Sequence, residues 1–253
     1  MRQGYIAVLD SGVGGLSVLN ELIKLLPNER FLYLGDNGNA PYGGKSLAEL
    51  KAITEKNIDL LKSYDLKALV LGCNTLSANL YREISDYAGV PTFGVYPPIE
   101  YALMLGGEVL LLATERTAER FKGIDRLTTV GLRNLARDIE NNIYNARAIN
   151  VQKNLLQYSV GDFVNKSGHY KTIILGCTHY FLVKNEILDH FRPQNIISGD
   201  HFTAKRVYDF LQQSNSLGNY KRFSVLFLGD FSKFNQRFSV CGGQSGLNFL
   251  KNY

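Results

Sequence analysis

Short apolar runs alternate along the chain with amphipathic segments. YIAVL at 5–9 predicts a buried strand, and after DSGVGG the segment LSVLNELIKLL carries apolar residues at helical spacing. RFLYLG at 30–35 predicts a second strand. The glycine-rich loop GDNGNAPYGGKS follows, with Ser46 placed to cap a helix over 47–63. ALVLG at 68–72 predicts a third strand ending at Cys73. Asn74 or Thr75 is placed to cap the helix that runs through LSANLYREISDY, and PTFGV at 91–95 predicts a fourth strand.

The same grammar then repeats. EVLLLAT (108–114), LTTVG (127–131), KTIILG (171–176) and NIISGD (195–200) predict strands. Between and after them, ERTAERFKG, a long segment from 132 to 158, THYFLVKNEILDHF and FTAKRVYDFL predict helices. The polar stretch LQQSNSLGNY at 211–220 reads as a surface connection. FSVLFLG at 223–229 predicts a further strand, followed by a helix or loop around DFSKFNQRF. Strands alternating with helices predict parallel sheets, and ligands bind such sheets beyond the carboxyl ends of the strands.

Composition narrows the picture. A chain of 253 residues holds one large or two smaller α/β domains and needs no disulfide or metal staple. The net charge of +5 is scattered, so it draws no nucleic-acid footprint, although a weak positive field suits an acidic small molecule. No run approaches the length of a membrane span, and the first apolar run is broken by Asp10, which predicts neither a signal peptide nor a membrane anchor. The three cysteines, Cys73, Cys177 and Cys241, are widely spaced, which predicts free thiols in a reducing cytoplasm. No CxxC or HExxH spacing occurs, so no metal site is expected.

One internal similarity stands out. ALVLGCNTLSA at 68–78 and TIILGCTHYFL at 172–182 share an apolar strand, then Leu-Gly-Cys, then a polar residue opening a helix. Two related halves facing each other across a cleft would each offer a cysteine at the same place. A cysteine between strand and helix faces the backbone N–H groups of the helix start, which lowers a thiol pKa and also seats a carboxylate. Two such thiols on opposite faces of a carbon suit racemisation, one removing a proton while the other delivers one. Free cysteine is also a common core residue, and that reading stands for either cysteine taken alone. Cys241 lies outside both matched turns and reads as structural.

These segments resemble the glutamate racemase family, within the aspartate/glutamate racemase superfamily. DSGVGGLSVL (10–19), YLGDNGNAPYG (33–43), LGCNTLSA (71–78) and LGCTHYFLV (175–183) carry the resemblance. GVYPP, ATERT, LARDIE and SGDHFTA add weaker matches in the right order. The resemblance implies an α/β fold of two pseudo-symmetric domains, each a mainly parallel sheet flanked by helices, with the active site in the cleft between them. It divides the chain into residues 1–96 with 206–253, carrying Asp10 and Cys73, and residues 97–205, carrying Cys177 and His179.

It further implies a cytoplasmic isomerase that interconverts L- and D-glutamate without cofactor or metal and supplies D-glutamate for peptidoglycan; a homodimer is left open. Cys73 and Cys177 match the catalytic thiols, Asp10 and His179 the groups beside them. Ser11, Asn74, Thr75, Thr117 and Thr178 match substrate ligands, Pro41, Tyr42 and Gly43 the pocket loop, and Glu140 a residue assisting the second cysteine. Each also has a plainer role open to it: Asp10 and Ser11 can close a turn, Asn74, Thr75 and Thr178 can cap a helix, His179 can cap one or face solvent, and Tyr42 can be surface aromatic.

The chain departs from the family pattern at Asn37, Gly38 and Asn39, where Thr or Ser, Ala and Arg are usual, and at Tyr96 and Phe181. These departures bear on substrate preference rather than on reaction type. A racemase for aspartate or another amino acid on the same scaffold, and a non-catalytic regulatory protein retaining the fold, are the competing readings. A dinucleotide-binding oxidoreductase is disfavoured, because DSGVGG only loosely matches the required glycine spacing.

Overall fold

The computed structural model describes residues 4–142 and 169–228. Strand β1 (Tyr5–Asp10) is flanked by β2 (Arg30–Gly35) and β3 (Leu66–Leu71), with β4 (Thr92–Gly94) beyond β3 and β9 (Ser224–Leu228) beyond β2. The second sheet has the order β6-β5-β7-β8, from β5 (Val109–Ala113), β6 (Leu127–Gly131), β7 (Thr172–Gly176) and β8 (Asn195–Ser198). All pairings are parallel. The runs around β1, β3, β5 and β7 read as continuously apolar because helices cover both faces of each sheet.

The two sheets are copies in topology. Strands β4-β3-β1-β2 and β8-β7-β5-β6 follow one order. Leu9 pairs with Leu71 in the first sheet, and Leu112 pairs with Leu175 in the second. The two Leu-Gly-Cys segments therefore superpose in register, which accounts for the internal similarity in the sequence.

The described helices are α1 (Leu16–Leu25), α2 (Leu47–Lys62), α3 (Asn74–Ala88), α4 (Ile99–Met104), α5 (Glu115–Arg120), α6 (Leu135–Asn142), α7 (Lys184–Phe191) and α8 (Asp200–Gln213). Helix α2 starts as its sequence predicts. The Ser46 hydroxyl accepts from the Glu49 N–H and the Glu49 carboxylate accepts from the Ser46 N–H, a reciprocal cap that satisfies two otherwise orphaned donors. Its buried face, Leu50, Thr54, Ile58 and Leu61, recurs at helical spacing. Helix α8 is continuous across positions 205 and 206 and packs on α1, and its Ala204, Val207 and Leu211 join the core of the first sheet.

Three local expectations are corrected. Neither Asn74 nor Thr75 caps α3; Cys73 itself takes the cap position in extended conformation. The segment after Cys177 does not enter an α-helix at once. Thr178–Val183 form a 3₁₀ turn, and α7 starts only at Lys184. Residues 211–213 are the last turn of α8 rather than surface connection, because Leu211 is fully buried against the first core. Cys241, the helix or loop expected around 230–238, and the later part of the helix expected over 132–158 lie outside the described residues.

Candidate active site

Cys73 and Cys177 each follow the carboxyl end of a strand, both in extended backbone conformation and both buried and free. The Thr178 hydroxyl, next to Cys177, donates to Asp10 of the first half, so the two matched turns face each other. The N–H groups of Leu76 and Thr75 point at the Cys73 sulfur, as expected of a helix start, but they do not set its protonation. Burial pushes the thiol up to about 12 and the Asp10 charge adds to this, outweighing those N–H groups. The lowered pKa predicted from sequence is thus reversed: at neutral pH this thiol holds its proton.

Asp10 ends β1 and is fully buried. It accepts from the Gly12 N–H at 3.0 Å and from the Thr178 hydroxyl at 3.3 Å, the second bond crossing from the other half. Burial raises its pKa to about 6, against the pull of the His179 charge and of the Gly12 and Gly15 N–H groups.

The Cys177 side is built differently. His179 Nδ1 lies 3.9 Å from Cys177 Sγ, and His179 Nε2 lies 2.7 Å from Glu140 Oε2 on α6. Burial works to lower the His179 pKa, but the bonds to Cys177 and Glu140 and the Glu140 charge outweigh it and raise it well above the ordinary value. Burial likewise works to raise Glu140, and the bonds and charge of His179, with the Val13 N–H and Asn37, bring it below its ordinary value. An ionised carboxylate only accepts, so the His179 Nε2 carries a proton and Nδ1 is left to exchange one with the thiol.

Two glycines of DSGVGG let the halves meet. A Cβ on Gly12 would lie 2.5 Å from Glu140 Oε2, and one on Gly14 would lie 2.6 Å from both the backbone N and the Nδ1 of His179. Only a residue without a side chain admits the second half this closely.

The other expected residues fall into two groups. Ser11, Asn74, Thr75, Thr117 and Thr178 are all buried around the two turns. The Asn74 amide donates to the Val95 carbonyl at 3.3 Å, while the Thr75 and Thr114 hydroxyls are 3.1 Å apart and Thr114 donates to Thr117 at 3.0 Å. Thr114 was not singled out in the sequence; its place at the end of the predicted strand EVLLLAT and inside ATERT was the available signal. In the pocket loop Pro41 follows a cis peptide bond, and Tyr42 is buried rather than exposed, donating to Asp36 at 2.6 Å. Gly43 packs against Thr114, so this loop also reaches the second half.

The departures from the family pattern are sorted by the structure. Asn39 donates to both Asp36 oxygens, whereas Asn37 donates to Glu140 Oε1 at 2.6 Å across the cleft. Tyr96 packs on Tyr81 and Arg206, and Phe181 on Lys184. Tyr96 lines a groove of about 590 Å³ with Pro97, Tyr101, Met104 and Phe202. Neither aromatic reaches Cys73 or Cys177 through these contacts. Among the described residues no group of three or more His, Cys, Asp or Glu side chains is arranged to hold a metal ion. Nor is any described helix long and apolar enough to cross a membrane.

Two topologically equivalent α/β halves, each presenting a strand-end cysteine to the other, define the architecture of the aspartate/glutamate racemase superfamily. No family model matches the chain. It is 33% identical over 244 residues to a glutamate racemase of Clostridium botulinum, covering 92% of this chain and 91% of that one. It is also 35% identical over 194 residues to that of Clostridium novyi, covering 72% and 73%. The glutamate racemase isoform RacE1 of Bacillus anthracis superposes with a TM-score of 0.78 at 28% identity, covering 93% of this chain and 92% of that one. The chain belongs to the glutamate racemase family.

Proposed function

We propose that the protein interconverts L- and D-glutamate, with Cys73 and Cys177 moving the α-proton. One thiolate takes the proton from one face of the α-carbon, breaking C–H and forming S–H. The opposite thiol then breaks its S–H bond and delivers a proton to the other face. The reverse turnover, or proton exchange with water, restores the starting state.

The observation that carries this reading is the equivalence of the two cysteines. They occupy one register position in two like sheets, and the bond from Thr178 to Asp10 joins their turns across the cleft. Cys73 rests as the acid. To act as a base it must lose its proton in a buried site, and the substrate's α-ammonium is a cation that favours the thiolate when bound. Asp10 serves the Cys73 side, and His179 with Glu140 serves the Cys177 side. Ser11, Asn74, Thr75, Thr117, Thr178 and the loop at Pro41, Tyr42 and Gly43 hold the substrate's amine and carboxylates. Family membership supports a role in supplying D-glutamate for peptidoglycan in the cytoplasm.

The test is loss of optical activity and α-proton exchange in deuterated buffer without added cofactor, with glutamate and aspartate in parallel. Turnover of glutamate is the expected result. Turnover of aspartate alone keeps the thiol chemistry and overturns the substrate; silence with both overturns the reading.

A further inference from the structure

Glu140 is fixed from three sides. Its Oε2 accepts from His179 at 2.7 Å and from the Val13 N–H at 3.2 Å, while its Oε1 accepts from the Asn37 amide at 2.6 Å. Val13 and Asn37 belong to the first half, and Glu140 and His179 to the second. Without the Asn37 bond, Oε1 loses this donor and the carboxylate gains freedom to turn about its own axis. That freedom passes directly to His179, whose ring is oriented by Glu140 at one nitrogen and faces Cys177 with the other.

We propose that Asn37 is a positioning residue for proton transfer at Cys177: its amide locks the Glu140 carboxylate, and Glu140 holds the His179 ring against the thiol. The bond forms only when the loop at 37–39 and α6 are docked together, so it ties readiness of the Cys177 side to closure of the two halves. The proposal rests on the two-cysteine reading above. Asn37 acts through Glu140 and does not touch substrate or the reacting atoms. Among the described residues, the charged and titratable groups that act on the His179–Glu140 pair are Cys177 on its own turn and Asp10 on β1.

The enantiomers of an amino acid have equal free energy in water, so kcat/KM is the same in both directions for any variant. Asymmetry in the chemical steps therefore appears in primary isotope effects rather than in kcat/KM. With α-deuterated L- and D-glutamate, the enantiomer whose isotope effect rises in C177S is the one that Cys177 deprotonates. Asn37→Ala should raise the effect on that same enantiomer, with kcat/KM lower by about 10- to 100-fold, the worth of a hydrogen bond to a charged group. Asn37→Asp keeps the shape but sets a second carboxylate against Glu140. Its activity should be low at neutral pH and recover on the acid side, where one shared proton rebuilds the bond.

An effect on the other enantiomer, or rate loss with unchanged isotope effects and no acid recovery in the Asp variant, would overturn the proposal. So would wild-type rates in both variants. Circular dichroism of each variant separates these outcomes from unfolding. Wild-type protein that fails to racemise glutamate would instead overturn the reading beneath it.

Discussion

The two cysteine turns share a backbone plan and differ in chemistry. Counting from the paired leucines, Ser11 corresponds to Thr114, Asn74 to Thr178 and Thr75 to His179, while Asp10 corresponds to Ala113. The first half draws its ionisable helper from the strand beside the cysteine, and the second draws it from the cysteine turn itself, backed by Glu140 on α6. Burial, with the Asp10 carboxylate adding to it, keeps the Cys73 thiol protonated. An imidazole beside Cys177, held by a second carboxylate, brings a positive charge within reach of that sulfur. Pseudo-symmetry thus gives the two sulfurs equivalent positions, while the departures from symmetry give them different neighbours, a carboxylate for Cys73 and an imidazole for Cys177.

The largest effect expected is from removing either sulfur. Cys73→Ala and Cys177→Ala should each lower racemisation by about 10³-fold or more, the upper part of the range for losing a positioned acid or base. Near wild-type activity in either would break the comparison, since two equivalent positions would then not be doing equivalent work. Next comes Gly14→Ala, which drives a methyl group into the His179 backbone and the Thr178 hydroxyl. Separation of the halves should cost activity heavily, with about 1–3 kcal/mol of stability lost to overpacking. Unfolding in denaturant beside steady-state rates measures both.

His179→Thr gives the second turn the residue that the first turn carries at the same place. It should lower kcat by about 10²-fold. Glu140 loses with it the largest influence holding its pKa down, so burial should then raise it. An unchanged pH profile in this variant would show that the imidazole does not set the charge on the Cys177 side.

Much of this arrangement was legible in the sequence, and the parts that were not share a physical cause. The strands at β1, β2, β5 and β7 were readable because burial on both faces demands unbroken apolar runs. The Ser46–Glu49 cap was readable because a reciprocal bond needs both residue types at a set spacing. Cys73 and Cys177 showed themselves through repetition. The rise of the Cys73 pKa was not readable, because helix N–H groups are a local feature and burial is a property of the whole fold. Likewise Asn37 and Glu140, 103 positions apart, meet only through the docking of two halves. DSGVGG looked like turn chemistry, whereas two of its glycines are required by side chains from the far half. The 3₁₀ turn after Cys177 carried the same polar opening as a helix, so pattern alone did not separate them.

The smallest effect expected on turnover is from Asp10→Asn, whose main effect is on stability, with a sign opposite to that of an ordinary paired carboxylate. The folded chain raises Asp10 from 3.8 to about 6, chiefly by burial. Between those values the folded state holds a proton that the unfolded state has released. Stability therefore falls as pH rises through this window and levels off above about 6, where the buried charge costs about 3 kcal/mol as an order of magnitude. Asp200, buried at the start of α8, is raised to about 6 with the same sign, so the wild-type slope contains both groups. Asp10→Asn should flatten part of that slope and raise the melting temperature at pH 7. It should also slow turnover and remove any fall in kcat/KM that wild type shows as Asp10 is protonated near pH 6. Calorimetry from pH 4 to 7 beside a rate profile reads both. A lower melting temperature at pH 7 would show that the bonds from Gly12 and Thr178, together with the His179 charge, outweigh burial. Asp10 would then be as well supported as the His179–Glu140 pair, and the contrast between the two turns would shrink to the identity of the group beside each sulfur.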